Sequence, residues 1–239
     1  MKWAVQTRWL MALSVAAAAS LPATRVFGLG FRNPDQNARA TSQGEAFVAQ
    51  ADDASAIHYN PAGLTQLTGS EFLAGSLYTF RDIRFEGEAA TERMNDPGML
   101  AHAYFATDLG LKDWRFGIGA NVPFGLQIDY GDGSTLRFRV TDASMRVFNI
   151  QPTLAWRINE NLSIGAGLNI YTASTHLENA FLFAPPPVPE GEFKFDGDGN
   201  AVGATAGLLW RINERHAVGV VYRSPFAIDF DGSAVIQPD

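Results

Sequence analysis

Apolar and polar residues alternate along much of the second half of the chain. Between residues 148 and 158 every second residue is apolar, and the residues between them include Asn, Gln, Thr and Arg. The same period of two returns at 162–170 and at 202–212, and short polar turns follow 148–158 and 202–212. A period of two is typical of strands with one apolar face, so these runs predict antiparallel hairpins.

Weaker alternation elsewhere completes a set of about seven predicted strands. The further candidate strands are 71–85, 99–108, 114–122 and 216–230. We expect short connections near Lys112, Glu160 and Glu214, and long loops at 87–98, 123–144 and 172–199. Short turns on one side of a sheet and long loops on the other are typical of bacterial outer-membrane barrels.

The sequence WRINE occurs twice, at 156–160 and at 210–214. In both copies a Trp and an Ile fall on the apolar face just before a polar turn, where an outer-membrane barrel carries its aromatic girdle. The opposite phase is rich in Gly, Asn, Thr and Arg, which suits a polar lumen. A soluble antiparallel barrel or sandwich also alternates, but its solvent face would be expected to carry Lys and Glu. The pattern therefore predicts an all-β fold, a transmembrane antiparallel β-barrel over 70–239.

Composition narrows the class of protein further. The 239 residues are 46% hydrophobic and contain 18 Lys and Arg against 25 Asp and Glu. The resulting formal charge of -7 gives the chain no electrostatic reason to bind nucleic acid. The chain contains no Cys, so disulfides, thiolate metal sites and a Cys-linked lipid anchor are excluded.

The N-terminus has the pattern of an export signal. Lys2 and Arg8 are positive, residues 9–19 are apolar, and several small residues follow up to Gly28. A membrane-spanning helix would need about 20 apolar residues, and this run is shorter. We therefore predict a signal peptide within 1–28, with the cleavage bond open, and export to an outer membrane of the Gram-negative type.

Residues 29–69 lack strand alternation and form a separate predicted segment with a mild helical pattern at 46–51. Within this segment, Pro61 has a fixed φ, and Asn60 before it is biased toward extended geometry. The pair could set a rigid bend, or it could simply end the segment before the first strand. Both interpretations are open at this stage.

Two adjacent carboxylates, Asp52 and Asp53, lie in the same segment. They could form ion pairs with Arg157 and Arg211, which fall on the predicted lumenal phase of their strands, and so hold the segment in place. Alternatively, the two carboxylates form a solvated turn.

Seven short motifs follow one another in a fixed order. They are GF at 30–31, Gly44, ADDAS at 51–55, NPAGL at 60–64, VPFGL at 122–126, YRSP at 222–225 and IDFDG at 228–232. With these motifs the chain resembles the outer-membrane long-chain fatty acid transporter family, the FadL type with its aromatic-hydrocarbon-uptake relatives. NPA alone is a weak motif, but its spacing from ADDAS and the order of the other matches make the resemblance specific.

The resemblance implies a 14-stranded barrel, monomeric at full length, of which this chain would supply the N-terminal half. It implies that 29–69 folds inside the barrel as a hatch, with Asn60, Pro61 and Ala62 in the family's hatch motif. Substrate would bind first among extracellular loops and then in a lumenal pocket beside the hatch. It would leave sideways through a gap at a kink in the third strand, which we expect near 121–125.

A long-chain fatty acid requires an apolar groove and a polar or cationic group for its carboxylate. Phe181, Leu182 and Phe183 lie in an apolar stretch that we expect to be extracellular, and they are candidates for the first contact. These side chains could equally pack on neighbouring loops. Phe124, in the VPFGL motif, is a further candidate.

The inward arginines Arg157 and Arg211 have two possible roles. Either could meet a substrate carboxylate, but both lie near the short turns. Anchoring of the hatch is therefore the favoured interpretation.

Other functions are weighed against this hypothesis. The four His residues have no metal-ligand spacing and no nucleophile fixed by a motif, and phosphate-loop and dinucleotide motifs are absent, so we expect no enzyme, metal or cofactor. The main prediction is passive uptake of long-chain fatty acids or similar hydrophobic molecules by a protein embedded in outer-membrane lipid. A general porin, a structural barrel and a barrel lipase are the alternatives.

The length of the chain bears on this prediction. Seven strands make half of a 14-stranded barrel, and an open sheet in lipid would leave unpaired edges. We therefore expect further strands elsewhere, or two copies in one barrel.

Overall fold

The computed structural model describes residues 32–87, 91–182 and 190–238. The described residues all belong to one compact unit, Phe31–Asp239. The predicted signal peptide at 1–28 lies outside the described residues, as does Phe183.

Eight antiparallel strands form a single sheet. They are β1 (Ser70–Glu86), β2 (Thr91–Thr107), β3 (Trp114–Asp129), β4 (Asp142–Arg157), β5 (Leu162–Leu182), β6 (Glu190–Asn213), β7 (His216–Arg223) and β8 (Asp231–Pro238). Strands β1 to β7 are neighbours in chain order, and β8 also pairs with β6. The sheet curls into part of a barrel, which confirms the predicted fold class.

Alternation of exposure along β4 explains why the sequence pattern is so clear. Phe148, Ile150 and Trp156 are each about 40% exposed, whereas Asn149 and Gln151 are 2% exposed. The apolar face therefore points away from the hatch toward lipid, and the polar face lines the lumen. A slip of one residue would exchange the two faces, so the membrane fixes the register.

Stacked tryptophans mark the short-turn edge of the apolar face. Trp114 and Trp156 are register partners on β3 and β4, and their ring centroids are 5.5 Å apart with planes 9° apart. Trp210 lies at the same edge, opposite Leu162. This is the predicted girdle position.

The loops on the other edge are shorter than expected. Only 87–90 connects β1 and β2, β3 continues to Asp129, and β5 runs on to Leu182, so most of the predicted loops are strand. These strand extensions carry many charged residues, with pairs such as Arg93–Asp82 and His176–Asp196. In the outer part of β5 each face mixes polar and apolar residues, so the alternation that predicts a strand is weak there.

The predicted seventh strand at 216–230 is likewise corrected. Strand β7 ends at Arg223, and pairing with β6 resumes at Asp231 as β8. Pro225 has no N–H to donate to the ladder, which explains the interruption.

The hatch comprises α1 (Ala38–Ser42), α2 (Ala56–Tyr59) and the 3₁₀ helix η1 (Pro61–Gln66). Its apolar side chains form the main core: Phe47, Ile57 and Leu64 are fully buried, together with Tyr104 and Ala155 from the strands. No helix in the described ranges has the length and apolar character that a bilayer crossing demands.

Candidate functional site

Three Trp-Arg dipeptides surround the end of the hatch. They are 114–115, 156–157 and 210–211, with each Trp on the lipid face and each Arg pointing inward. Arg115 Nε donates to the Leu67 carbonyl at 2.7 Å, and Arg211 Nη2 donates to Gln66 Oε1 at 2.6 Å. Arg157 Nη2 donates to the carbonyl of Thr65. Arginines from three strands therefore hold three successive hatch residues, and anchoring stays the predicted role of Arg157 and Arg211.

The carboxylates of Asp52 and Asp53 do not reach the wall arginines. Arg39 Nη1 lies 2.9 Å from Asp52 Oδ1 and 3.8 Å from Asp53 Oδ2, so both pair within the hatch. Asp53 also accepts hydrogen bonds from Asn37 and Ser55. The proposed pairing with Arg157 or Arg211 is therefore corrected, because the hatch supplies its own cation.

Asn60 forms hydrogen bonds with two other parts of the hatch and with the wall. Its Nδ2 donates to the carbonyls of Val48 at 2.8 Å and Leu208 on β6 at 3.1 Å. Its Oδ1 accepts from the N–H of Ala62 at 3.1 Å and so caps η1, which begins at Pro61. Pro is favoured at the first position of a helix because its missing N–H would be unpaired there anyway.

The hatch motif packs directly on two wall glycines, Gly165 on β5 and Gly207 on β6, which we call the glycine seat. These glycines are register partners. A Cβ atom on Gly165 would lie 2.5 Å from the carbonyl carbon of Pro61 and 2.6 Å from the nitrogen of Ala62. The main chain of the hatch thus touches the main chain of the wall, which no larger residue would permit.

A ladder of polar side chains crosses the inner wall beside the hatch. It consists of Asn121, Asn149, Asn169 and Thr205, one from each of β3 to β6, and all four are at least 97% buried. Asn149 Nδ2 donates to Asn121 Oδ1 at 3.1 Å, and Asn169 Nδ2 donates to Thr205 Oγ1 at 2.8 Å. Asn121 Nδ2 in turn contacts His58 Nδ1 of the hatch at 3.0 Å.

The wall is interrupted between β2 and β3, near the kink that the family resemblance implies at 121–125. Pairing of these strands extends only to His102–Asn121, and a register shift occurs in β3 between Asn121 and Phe124. The N-terminal end of the hatch lies along this part of β3: Asn33 N donates to the Pro123 carbonyl at 2.7 Å. We call the interruption the wall opening.

A cavity of about 660 Å³ runs through the wall opening. Thr79, Arg81 and Leu100 line it from the inner face, and Gly125, Gln127 and Arg146 line it from the outer face. Arg81 Nη1 spans the opening and donates to the Gln127 carbonyl at 2.8 Å. Residues from both faces of the sheet therefore border this cavity.

An apolar cluster lies on the inner face just beyond the polar ladder. Its members are Phe124, Val147, Tyr171, Ala173, Ala201, Phe226, Ile228 and Phe230, which we call the lumenal cluster. The rings of Tyr171 and Phe226 stack with centroids 4.0 Å apart. Phe124, a predicted substrate contact, therefore lies in an apolar site next to the wall opening.

Two arginines adjoin the lumenal cluster. Arg32 forms a bridge with Phe124, and Arg223 at the end of β7 donates to the carbonyl of His58. Their positive charges repel each other. Burial lowers the pKa of the Arg32 guanidinium. Among the described residues no carboxylate forms an ion pair with either arginine, so this end of the cluster is cationic.

Phe181 and Leu182, two of the predicted extracellular contacts, lie in a strand and not in the expected loop. They end β5 and pair with Gly191 and Glu190. Leu182 is 45% exposed. The structure does not bring them together with the lumenal cluster, and their part in substrate binding stays a prediction.

Sequence reasoning missed Arg115, the glycine seat and the pair Arg32 and Arg223. Arg115 was detectable, because Trp114-Arg115 repeats the dipeptide of the WRINE sequences. Gly165 and Gly207 occupy the lumenal phase, where a glycine indicates close approach of another backbone. Arg32 carries no periodic signal, because it lies in an irregular segment.

Comparison with known proteins identifies the family. Residues 16–238 match the family model described as outer membrane protein transport protein (OMPP1/FadL/TodX). An outer membrane protein of Neisseria meningitidis serogroup B is 29% identical over 245 residues, covering 89% of this chain and 52% of that protein. The long-chain fatty acid transport protein of Escherichia coli O6:H1 is 23% identical, covering 92% and 55% respectively. The chain spans about half the length of the curated relatives it matches.

Solved structures share the fold. The toluene transporter TbuX of Ralstonia pickettii superposes with a TM-score of 0.71 at 19% identity, covering 89% of this chain and 62% of that chain. A FadL homologue of Pseudomonas aeruginosa superposes with a TM-score of 0.65 at 16% identity, covering 81% and 52%. The family model confirms the resemblance, and the solved barrels share the fold: the chain belongs to the OMPP1/FadL/TodX family of outer-membrane transport proteins.

Proposed function

We propose that this protein carries long-chain fatty acids or similar hydrophobic compounds passively across the outer membrane. The observation that supports this most directly is the lumenal cluster with Arg32 and Arg223 beside it. An apolar site with a few convergent polar groups is the usual form of a small-molecule site. A guanidinium without a carboxylate partner suits the headgroup of a fatty acid.

The proposed path begins on the outer side of the barrel. Phe181, Leu182 and Phe183 offer the first apolar contact, and the lumenal cluster holds the substrate next to the hatch. The substrate then leaves through the wall opening, whose cavity of about 660 Å³ is large enough for a drug-sized ligand. Membership in the family supports the outer-membrane location.

The hatch is the proposed gate on this path. Asn60, Pro61 and Ala62 rest on the glycine seat, while Asp52 and Asp53 stabilise the hatch internally through Arg39. Arg157 and Arg211 anchor its end. A seated hatch fills the inner face, which favours a selective transporter over a general porin with a water-filled lumen.

The choice between a fatty acid and an aromatic hydrocarbon depends on the carboxylate. Relatives of this chain include proteins named as long-chain fatty acid transporters and as toluene transporters. Both kinds of substrate need an apolar site, but only a carboxylate gains from two adjacent cations. We therefore propose the fatty acid as the preferred substrate.

The test is uptake by the protein expressed from its full-length gene in a Gram-negative host that lacks its own fatty acid transporter. Arg32→Met and Arg223→Met keep the apolar bulk and remove the charge. We expect oleate uptake to fall about tenfold or more, because a charge-assisted hydrogen bond is lost, while toluene uptake is unchanged.

The matched control is Arg139→Met, which removes an exposed arginine from the connection between β3 and β4. Equal loss of oleate and toluene uptake would contradict the role of the two arginines. Leakage of small hydrophilic solutes without uptake of either compound would favour a general porin instead.

A further inference from the structure

The sheet has a second interruption, on the edge of β6 that faces β7 and β8. Arg223 is the last β7 residue paired with β6, opposite Thr205, and Asp231 is the first β8 residue, opposite Asp198. Residues 224–230 between them leave the sheet, and we call them the strap. Residues 199–204 of β6 therefore lack a partner strand on this edge.

Local chemistry explains how the strap departs from the sheet. Ser224 makes the last two bonds to β6: its N–H donates to the Ala204 carbonyl, and its Oγ accepts from the Ala204 N–H, both at 2.8 Å. Pro225 then follows, and it has no N–H for the ladder. Ser224 thus ends the pairing cleanly, and Pro225 prevents its continuation.

The inner face of β6 provides room for the strap. Its inward residues at this level are Gly199, Ala201 and Gly203, and Gly and Ala are the two smallest residue types. A Cβ atom on Gly199 would lie 2.5 Å from Ile228 Cγ2 and 2.7 Å from the Asp229 carbonyl oxygen. The strap therefore packs on the lumenal side of β6 rather than beside it.

The strap contributes three side chains to the lumenal cluster, Phe226, Ile228 and Phe230. Phe226 lies between two other rings. It stacks on Tyr171 with centroids 4.0 Å apart and planes 21° apart, and it meets Phe124 edge-on at 5.8 Å and 69°. Such aromatic contacts are favourable but weak, so the ring can be replaced by another apolar surface.

Both interruptions of the wall lie at the same level along the strands. Phe124 pairs with Val147, Val147 with Ala173, and Ala173 with Gly199, so the kink in β3 and the start of the unpaired part of β6 share a level across four strands. Phe226 extends from the second interruption to Phe124 at the first. It therefore lies against Phe124, beside the wall opening.

We propose that the strap sets the width of the passage from the lumenal cluster to the wall opening, with Phe226 as the residue that determines substrate shape. A straight acyl chain or a flat ring replaces the contact between Phe226 and Tyr171, whereas a bulky, branched group does not fit between them. This proposal rests on the proposed function, since it assigns selectivity to the same path.

The test compares uptake of two fatty acids of similar length, one with a straight chain and one ending in an adamantyl group. The protein is expressed from its full-length gene as unsubstituted protein, Phe226→Ala, Phe226→Trp and Val220→Ala. Val220 lies on the outer face of β7 and is 56% exposed, so it serves as the control for a change in the same region.

For Phe226→Ala we expect the uptake ratio of bulky to straight substrate to rise about fivefold or more, since pockets discriminate strongly between shapes that differ by a few carbons. Phe226→Trp should lower the ratio, and Val220→Ala should leave it unchanged. An unchanged ratio in both Phe226 variants would overturn the proposal. No uptake of either compound by the unsubstituted protein would instead refute the proposed function, and the strap proposal with it.

A second measurement does not depend on the size of a side chain. These 239 residues contain no Cys, so the pair Tyr171→Cys and Phe226→Cys can be cross-linked, with the two single variants as controls for any Cys elsewhere in the full-length protein. We expect cross-linking to lower straight-chain uptake about fivefold or more, and reduction to restore it, because a fixed strap cannot yield to substrate. Full uptake by the cross-linked protein would contradict the role of the strap.

Discussion

Asn60 of the hatch and Gly207 of β6 are in direct contact: a Cβ atom at position 207 would overlap Asn60 Oδ1. The same amide donates to the carbonyl of the neighbouring residue, Leu208. The Asn60 side chain therefore packs against Gly207 and also forms a hydrogen bond with the backbone of the next residue.

Replacement of Gly207 by Ala should loosen the hatch. The added methyl group forces Asn60 or β6 to shift, and overpacking of this kind costs about 1 to 3 kcal/mol. The free energy of unfolding in detergent micelles, measured with urea, checks the effect. Gly133→Ala is the control, since a Cβ at position 133 meets no atom within 4 Å. Equal stability of the two variants would contradict a close contact at Gly207.

A double substitution tests whether Asn60 is the group that Gly207 accommodates. Asn60→Ala alone should cost about 1 to 3 kcal/mol, because the buried carbonyls of Val48 and Leu208 lose a donor. With Asn60→Ala and Gly207→Ala combined, the overlap no longer exists, so the total cost should be smaller than the sum. Additive free energies of unfolding would show that the two residues act independently.

Arg115 should be the least replaceable of the three inward arginines. Its guanidinium bonds the Leu67 carbonyl and also the carbonyls of Leu111 and Lys112 in the turn before β3. A lysine ammonium cannot reproduce this fork, so Arg115→Lys should lower the free energy of unfolding by about 1 to 3 kcal/mol.

Arg211→Lys is the matched comparison. Arg211 is exposed and makes one bond to the hatch, to Gln66. Its replacement should change stability by at most about 0.5 kcal/mol. Similar losses in the two variants would contradict the ranking.

His58 should make the stability of the hatch depend on pH. Burial lowers the pKa of His58 well below its usual value, and the charges of Arg223, Arg32 and His102 act in the same direction. Asn121 Nδ2, which can only donate, faces its Nδ1 atom, and this suits the neutral ring. The hatch therefore folds around uncharged imidazole.

The direction of the pH effect follows from this depressed value. The unfolded state binds the proton first as the pH falls through about 6.5, so His58 contributes stability above that pH and loses it below. His58→Asn should flatten the decrease in urea midpoint between about pH 7.5 and pH 5. The control is His216→Gln, at an exposed position that faces the β6–β7 turn. Identical pH profiles for His58→Asn and unsubstituted protein would refute the assignment.

How well the sequence predicts each element depends on the surroundings of its two faces. Strand β4 is predictable because Ile150 faces lipid and Gln151 faces the lumen, so neighbouring residues differ sharply in polarity. The sequence predicts a loop for the outer part of β5, because both of its faces are partly exposed and mix polar with apolar residues. It predicts a strand for the strap, because Phe226, Ile228 and Phe230 keep a period of two while lining the lumen.

Contacts within the hatch could not be derived from its sequence. Asp52 pairs with Arg39, 13 positions earlier, and nothing in the spacing distinguishes this partner from Arg157 or Arg211. The glycine seat was equally hidden, because Gly165 and Gly207 come together only through the register of β5 and β6. Pairing across distant parts of a chain leaves no local pattern, and the kink near Pro123 is expected only from the family resemblance.

The polar ladder has a consequence for reversibility. Asn121, Asn149, Asn169 and Thr205 are uncharged, and water can replace each hydrogen bond that one of them makes to the hatch. If the hatch left this surface, no charged group of the ladder would lose its partner, and little apolar surface along the ladder would become exposed to water. A contact of this kind can break and re-form many times without a ratchet or an energy source, which suits a protein in a membrane far from any supply of ATP.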